Sequence, residues 1–210
     1  MSNTHVLQNA ILAHKIAALR DVSTAPAQFR ALVESIAYIE AIEALKDFET
    51  VEKQVTTPLE TVSQHVIEED KICLVPILRA GLGMSSGVSD LLPNAHVGHI
   101  GLYRDETTHE AHEYYARFPQ NVADMHVLLL DPMLATGGSA IDAVKMLRAR
   151  GVKKITFLCI IAAPEGVKAF EKEFPDVPLY IGALDRELND NCYILPGLGD
   201  AGDRIFGTND

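Results

Sequence analysis

The sequence predicts an α/β fold in which a parallel sheet is covered by helices on both faces. Short, mainly apolar runs of the kind that form strands buried on both sides begin near residues 72, 97, 127, 155 and 179. Segments with helical periodicity alternate with these runs, and that alternation is typical of parallel α/β sheets. The 210 residues, 48% of them hydrophobic, are enough for one domain with a substantial core. We therefore expect a single domain over residues 1–210.

The chain begins with two predicted helices, which together cover about residues 6–46. Residues 6–20 carry their apolar side chains roughly on one helical face. The second helix is expected after Ser23-Thr24-Ala25-Pro26, which has the composition of a helix start, and apolar residues then recur at helical spacing to about Leu45. Residues 50–63 are polar and rich in threonine, so they predict a small loop or a hairpin.

Each predicted strand after this point leads into a loop. The run at 72–78 ends in a glycine-rich turn, and the run at 97–103 is followed by a polar stretch. The run at 127–130 leads through two glycines into a helix that stops at Gly151. In sheets of this class, ligands bind beyond the carboxyl ends of the strands. We therefore expect the chemistry in four loops: residues 79–87, 104–121, 131–139 and 185–203.

Charge and cysteine content narrow the class of function. The formal net charge is −11, so we expect neither the basic face of a nonspecific nucleic-acid binder nor a segment that binds anionic membranes. No apolar run approaches the ~18 residues that span a bilayer, and the first twenty residues lack the pattern of a signal peptide. Three cysteines are present, Cys73, Cys159 and Cys192. Their odd number and wide spacing favour reduced thiols and a cytoplasmic location.

Residues 128–139 form the most informative segment, Leu-Leu-Leu-Asp-Pro-Met-Leu-Ala-Thr-Gly-Gly-Ser. A buried strand ends at Asp131, and a loop of small residues then opens a helix. Gly137 and Gly138 let the backbone approach an anion closely, and the first amides of the helix carry partial positive charge. Asp131 is placed to accept hydrogen bonds from sugar hydroxyls, so the segment suits a ribose phosphate. It is not a P-loop, because no lysine follows the glycines. An ordinary capped strand–loop–helix connection remains the alternative.

A second anion site is predicted where Arg79 follows the run at 72–78. Arginine offers a fixed fork of donors for phosphate oxygens, and the glycines after it expose backbone amides. Two competing motifs overlap this segment. The G-x-S-x-G pattern of serine hydrolases is present at 83–87, but its serine should follow the strand at once. The dinucleotide fingerprint that begins at Gly81 fails, because Ser86 stands in place of its third glycine.

The remaining two loops are ambiguous from residue types alone. Arg104 is either a further anion partner or a solvated surface residue. The polar stretch after it has little core of its own, which predicts a mobile flap. Its His109 and His112 are three residues apart rather than four, so the H-E-x-x-H zinc motif is absent and solvated histidines are favoured. Near the end, residues 193–204 are rich in glycine and contain Pro196; they could present peptide groups to a flat ligand or form a plain loop.

A resemblance to a known family joins these segments. Asp131-Pro132-Met133-Leu134-Ala135-Thr136-Gly137-Gly138-Ser139 resembles the ribose-phosphate motif of the type I phosphoribosyltransferases, in the form of their uracil-specific branch. Residues 193–204 are similar to the same branch, and the resemblance covers nearly the whole chain, least at 46–70. It implies a type I phosphoribosyltransferase-like sheet flanked by helices. It also implies N-terminal helices, a flexible flap at about 104–121 and a C-terminal base-binding hood at about 185–206.

The resemblance implies an enzyme that transfers the 5-phosphoribosyl group of phosphoribosyl pyrophosphate (PRPP) to N1 of uracil, giving UMP and pyrophosphate. It implies catalytic roles for Arg79, Arg104 and Asp200. The residues implied to bind PRPP are Arg79, Arg104, Asp131, Pro132, Met133, Leu134, Ala135, Thr136, Gly137, Gly138, Ser139 and Asp200. Those implied to bind uracil are Ile194, Gly199, Asp200 and Ala201.

The resemblance also implies a cofactor and partners. Mg²⁺ is expected to arrive with PRPP, with no direct side-chain ligand, because Pro132 stands where most of the superfamily has a second acid. The family forms homodimers or larger assemblies, and some relatives respond to GTP. His109, Ala111 and His112 depart from the family pattern in the flap. Two alternatives stay open: an RNA-binding pyrimidine regulator on the same scaffold, against which the acidic charge argues, and a phosphoribosyltransferase for a purine.

Overall fold

The structure, a computed structural model, describes residues 3–104 and 111–208, with the side chains of residues 103, 104, 111 and 112 outside that description. In chain order the strands are β1 (Thr4–Val6), β2 (Val51–Thr56), β3 (Thr61–Val66), β4 (Ile72–Leu78), β5 (His96–Val97), β6 (His99–Arg104), β7 (Ala111–Arg117), β8 (His126–Leu130), β9 (Met133–Leu134), β10 (Lys154–Ala162), β11 (Leu179–Leu184), β12 (Glu187–Leu188) and β13 (Ile194–Leu195). The helices are α1 (Ala10–Arg20), α2 (Pro26–Leu45), α3 (Leu82–Leu91), α4 (Gly138–Ala149), α5 (Pro164–Glu173) and α6 (Ala201–Phe206).

The central sheet has the strand order β1-β11-β10-β8-β4-β6-β7, with the short β5 and β9 pairing to β4 and β10. All of these pairs are parallel except β6 with β7. The five predicted strands are therefore confirmed, and the run at 97–103 is divided into two short strands at Gly98. The predicted α/β sheet is correct in kind, with one antiparallel edge.

Two hydrophobic clusters lie on opposite faces of this sheet. Side chains such as Leu74, Leu128 and Ile160 pack with α1, α2 and α3 on one face. Their neighbours in sequence, such as Val75 and Leu129, pack with α4 and α5 on the other face. Successive residues of a strand point to opposite faces, so a continuous apolar run serves both clusters. The expectation that helices cover both faces is confirmed.

The amino terminus differs from its prediction. Val6, the predicted start of the first helix, instead belongs to β1 (Thr4–Val6), which pairs in parallel with β11. The helix begins only at Ala10, because Asn9 has extended backbone and its side chain accepts the amides of Ile11 and Leu12. The second helix matches its prediction and runs from Pro26 to Leu45.

Three other segments contain more regular structure than predicted. The expected loop at 79–87 is short, because α3 begins at Leu82. The predicted flap at 104–121 contains β7, and its residues 105–110, including His109, lie outside the described part of the chain. The segment 185–206 contains β12, β13 and α6. Residues 51–66 form the hairpin β2–β3, and every residue of β2 is exposed.

Within the described ranges, no helix is both long and apolar enough to cross a membrane.

Candidate active site

Arg79 leaves the sheet at the carboxyl end of β4. The turn after it is tight, with the Gly81 amide donating to the Ile77 carbonyl oxygen at 2.9 Å. A Cβ atom on Gly81 would lie 2.3 Å from the carbonyl oxygen of Leu130, at the end of the adjacent strand β8. Glycine is therefore required for the turn to pass this close to β8. The peptide bond between Leu78 and Arg79 is cis.

The side chain of Arg79 is accessible to an anion. Its relative exposure is 60%, and its Nη2 atom lies 3.6 Å from Asp203 Oδ1. The guanidinium carbon lies 5.7 Å from the centre of the Phe206 ring. A contact of 3.6 Å at an exposed position is weak, so an incoming phosphate oxygen can compete with Asp203 for this guanidinium.

Asp131 leaves the sheet beside Arg79, at the end of β8. Its carboxylate accepts the amide of Met133 at 3.4 Å. Burial raises the pKa of Asp131 to about 7, although the hydrogen bond from Met133 acts in the opposite direction. This carboxyl group therefore changes its charge near neutral pH.

The loop that follows Asp131 is tied to β10. The Pro132 carbonyl accepts the amide of Ile161 at 3.0 Å, and the Leu134 carbonyl accepts the amide of Ala163 at 2.9 Å. The short strand β9 of this loop pairs in parallel with the end of β10. The proposed phosphate loop is thus held by the sheet through its backbone.

The turn into α4 contains a glycine with left-handed backbone immediately before the helix. Gly137 has a φ of +87° and directly precedes α4, and Thr136 and Ser139 are exposed. Below the loop lies Gly166 of α5, where a Cβ atom would lie 2.3 Å from the carbonyl oxygen of Ala135. Gly166 therefore packs against the proposed phosphate loop, and this contact is not predicted from the sequence.

The C-terminal segment enters the same region through α6. Asp200 is the N-cap of α6, and its Oδ1 atom accepts the amide of Asp203 at 2.9 Å. Gly199 is exposed with a φ of +81°. The side chain of Ile194 belongs to the hydrophobic core and is only 4% exposed. The side chain of Ile194 is therefore not available to a ligand.

Three of the predicted segments converge on one open cleft of about 290 Å³. Its lining residues come from the ends of β4 and β8 and the start of α6: Arg79, Ala80, Asp131, Met133, Asp200, Ala201 and Gly202. Gly199 lines a neighbouring cleft of about 440 Å³, which shares Asp200 with the first. Thr136 to Ser139 are described by the structure but do not line either cleft. The side chain of Arg104 is outside the described part, so its predicted role stays a prediction.

The sequence of this chain is similar to those of known proteins over nearly its whole length. A family model described as "Uracil phosphoribosyltransferase" matches residues 6–208. A protein of Staphylococcus epidermidis named uracil phosphoribosyltransferase is 49% identical over 208 residues, covering 99% of this chain and 100% of its own length. The chain belongs to the uracil phosphoribosyltransferase family. Nothing in the match to this family or in the names of these relatives favours the RNA-binding alternative.

Solved structures share the fold of this chain. The AQ2163 protein of Aquifex aeolicus is 38% identical to this member of the family, with a TM-score of 0.92, and the alignment covers 98% of this chain and 99% of that one. A hypoxanthine-guanine phosphoribosyltransferase of Bacillus anthracis has a TM-score of 0.52 at 14% identity, covering 76% of this chain and 80% of that one. The second likeness concerns the fold alone, and it confirms the predicted phosphoribosyltransferase-like sheet.

Proposed function

We propose that this chain transfers the 5-phosphoribosyl group of PRPP to N1 of uracil, releasing pyrophosphate and forming UMP, a reaction of pyrimidine salvage. The observation that carries the proposal is the convergence of Arg79, Asp131 and Asp200 on one cleft, in a chain that the uracil phosphoribosyltransferase family matches over residues 6–208. Relatives of nearly equal length carry the same name. We propose that the whole chain is one catalytic domain, because Arg20 of α1 donates hydrogen bonds to Asp185 and Gly197 of the C-terminal segment.

The two anionic ends of PRPP are assigned to different loops. The pyrophosphate is assigned to Arg79, whose exposed guanidinium offers a fork of donors. The 5-phosphate is assigned to residues 132–139, where Gly137 and the first amides of α4 suit an anion. Asp131 lies between these loops and accepts hydrogen bonds from the ribose hydroxyls. Arg104 is retained as a second pyrophosphate partner on the basis of the family resemblance.

The chemistry that this arrangement supports is charge stabilisation and positioning. In the proposed reaction, positive charge develops on the ribose ring and negative charge on the departing pyrophosphate. Donors of Arg79 that are already in place stabilise the negative charge. The carboxylate of Asp200 lines the cleft on the ribose side, where it favours positive charge. We assign no general base, and positioning of the two substrates supplies much of the rate.

The side chains of the cleft fit an Mg²⁺ ion that is held mainly by PRPP. The phosphate loop offers one carboxylate, Asp131, because the next residue is Pro132. Mg²⁺ keeps several waters and commonly uses one or two carboxylates together with substrate phosphates. In the part of the chain that the structure describes, no three acidic, histidine or cysteine side chains are grouped to hold a metal. When bound, the ion would neutralise part of the pyrophosphate charge.

Uracil is assigned to the peptide groups of residues 199–201 and of Ile194. Uracil presents an N–H donor between two carbonyl acceptors, and cytosine reverses donor and acceptor at two adjacent edge positions. A site that hydrogen-bonds this edge can reject a mismatched base by about 10⁴. Gly199 supports the assignment, because it is exposed and has a left-handed backbone, so its peptide groups are accessible beside Asp200.

The function is tested by measuring UMP formation from uracil and PRPP with and without Mg²⁺. We expect turnover with uracil and Mg²⁺, and rates about 10⁴-fold lower with cytosine. Hypoxanthine and guanine test the purine alternative in the same assay, and added GTP tests for an effector. Absence of UMP, or faster turnover of a purine, would contradict the proposal. Binding of single-stranded RNA at moderate salt tests the regulator alternative.

A homo-oligomer is proposed from the hairpin β2–β3. Val51, Val55 and Leu59 of this hairpin are 40%, 37% and 95% exposed. An isolated two-stranded hairpin is marginally stable in water, so a second copy of the chain that covers it would stabilise it. Comparing the sedimentation of the wild type with that of the Leu59→Asp variant tests whether the hairpin forms a contact between copies.

A cytoplasmic location is proposed because Cys73 and Cys159 are buried free thiols.

A further inference from the structure

The carboxyl end of α1 is joined to the C-terminal segment by a buried ion pair. Arg20 donates through both terminal nitrogens to the two carboxylate oxygens of Asp185, which is the residue after β11. The Arg20 and Asp185 side chains are 22% and 5% exposed. A bidentate pair of this kind is short and has a defined geometry. The two residues lie 165 positions apart in sequence. Neither is among the individual residues predicted for the site, although Asp185 begins the predicted base-binding segment.

The same two residues hold the peptide groups of Gly197. The Gly197 carbonyl accepts Arg20 Nη1 at 2.7 Å, and the Gly197 amide donates to Asp185 Oδ2 at 2.9 Å. Gly197 has a φ of +62°, and a Cβ atom there would lie 2.1 Å from the Ile194 carbonyl oxygen. The turn between Ile194 and Gly199 is therefore closed on itself and anchored to α1.

A second arginine extends this contact by one residue. Arg204 Nη1 donates to the Leu198 carbonyl at 2.9 Å, and its Nη2 donates to the carbonyl of Asp21, next to Arg20. Its guanidinium carbon lies 4.4 Å from the centre of the Phe29 ring. The carbonyl groups of Gly197 and Leu198 thus accept hydrogen bonds from two arginines. Arg20 is the last residue of α1, and Arg204 contacts Asp21, which follows it.

Several of the peptide groups that follow lack a partner in the part of the protein that the structure describes, whereas the Asp200 carbonyl accepts the amide of Arg204 at 3.1 Å. Within the described residues, the amide and carbonyl of Gly199 and the amide of Ala201 have no hydrogen-bond partner. The orientation of these groups follows from that of the Gly197 and Leu198 peptides, whose carbonyls accept hydrogen bonds from Arg20 and Arg204. Because a planar base is distinguished by donor and acceptor positions, a rotation of these peptides would alter recognition.

We propose that Arg20 and Asp185 are positioning residues that orient the peptide groups of residues 199–201 for the base. The inference rests on the proposed function, because it assigns those peptide groups to uracil. Lysine cannot replace Arg20, since a single ammonium group cannot bind both carboxylate oxygens and the Gly197 carbonyl in one fixed geometry.

The test compares Arg20→Lys and Asp185→Asn with the wild type and with Arg30→Lys. Arg30 is the matched control, because it donates to the Ile205 carbonyl at 2.8 Å, outside residues 194–201. Steady-state kinetics with uracil, cytosine and PRPP are measured at a temperature where all four proteins are folded. For both test variants we expect KM for uracil to rise about tenfold or more. The preference for uracil over cytosine should fall by a similar factor, KM for PRPP should stay within about twofold, and the control should be unchanged.

The double variant Arg20→Lys/Asp185→Asn provides a second readout. The effects of substituting residues that act as one unit are not additive. The double variant should therefore show a KM for uracil and a base preference close to those of either single variant. Equal changes in both KM values with an unchanged base preference would overturn the proposal and leave the pair a purely structural role. Wild-type kinetics in the folded test variants would overturn it as well. Failure of the proposed function is distinguishable, because the wild type would then form no UMP.

Discussion

Replacing Gly166 with alanine would place a methyl group directly below the proposed phosphate loop. The added Cβ atom would lie 2.3 Å from the Ala135 carbonyl oxygen and 2.8 Å from that of Leu134. Ordinary contact of a Cβ atom begins at 3.4 Å, so the loop or α5 must move by about 1 Å. Both neighbours are backbone atoms, and rotation of a side chain cannot relieve the contact.

The size of the effect follows from this displacement. A misplacement of about 1 Å in a substrate-positioning group can cost about a hundredfold in rate, equivalent to about 2.7 kcal/mol of transition-state stabilisation. Alanine also favours the helical state over glycine by about 1 kcal/mol, which partly offsets the strain in α5. We therefore expect a large loss of kcat/KM for PRPP with a smaller change in thermal stability.

The assay is steady-state UMP formation with varied PRPP, together with calorimetric binding of PRPP. Lys168→Ala is the control, because this exposed residue lies on the same helix. It should leave kcat/KM for PRPP within about twofold. If Gly166→Ala lowers the melting temperature but keeps wild-type kinetics, α5 has moved instead of the loop, and the reasoning that Gly166 determines the loop position is wrong.

Three further outcomes are expected. Arg79→Ala should lower kcat about a hundredfold or more, as loss of a transition-state donor does, whereas the exposed Arg186→Ala should not; near-normal turnover of the Arg79 variant would refute its role. The pKa of Asp131 is raised to about 7 by burial, so kcat/KM for PRPP should rise through about pH 7 as the carboxylate forms, and Asp131→Asn should remove this dependence; an identical pH profile would contradict the assignment. Burial raises the pKa of Glu40 well above 4.5, so the folded chain holds a proton that the unfolded chain releases, and the free energy of unfolding should fall as pH rises above about 4.5. Melting curves at several pH values should show a shallower fall for Glu40→Leu, and parallel curves would exclude a buried neutral carboxyl.

Local patterns in the sequence predict the sheet and most of its loops. The strands β4, β8 and β10 are found because each is a run of apolar residues that serves both faces. The loop of residues 131–139 is predicted from the same run, because an acid and then a stretch of small, glycine and hydroxyl residues follow it; its role in binding phosphate stays a prediction. β1 is missed, since three residues are too few to show a period and the strand forms by pairing with β11. Tertiary pairing decides its conformation.

The sequence indicates the helix α5 but not the contacts that this helix and α1 make with the site. The helix α5 has a readable signal, with Pro164 in its first turn and Val167, Phe170 and Phe174 spaced three or four apart. Its contact with the phosphate loop has no such signal, because Gly166 is recognised only when the Ala135 backbone is placed beside it. The pairing of Arg20 with Asp185 likewise depends on α1 meeting the end of β11.

Backbone contacts between loops determine the distance between the two proposed anion sites. Gly81 allows the turn that carries Arg79 to approach the end of β8, which carries Asp131. Gly166 supports the loop after Asp131 from the other side. A side-chain change in either loop alters one set of contacts with the substrate. A methyl group at either glycine instead changes the separation of the sites. In the proposed reaction, the transition state requires both sites at once, with the bond between ribose and pyrophosphate lengthened. The glycine variants should therefore reduce kcat/KM more than they reduce the binding of pyrophosphate alone.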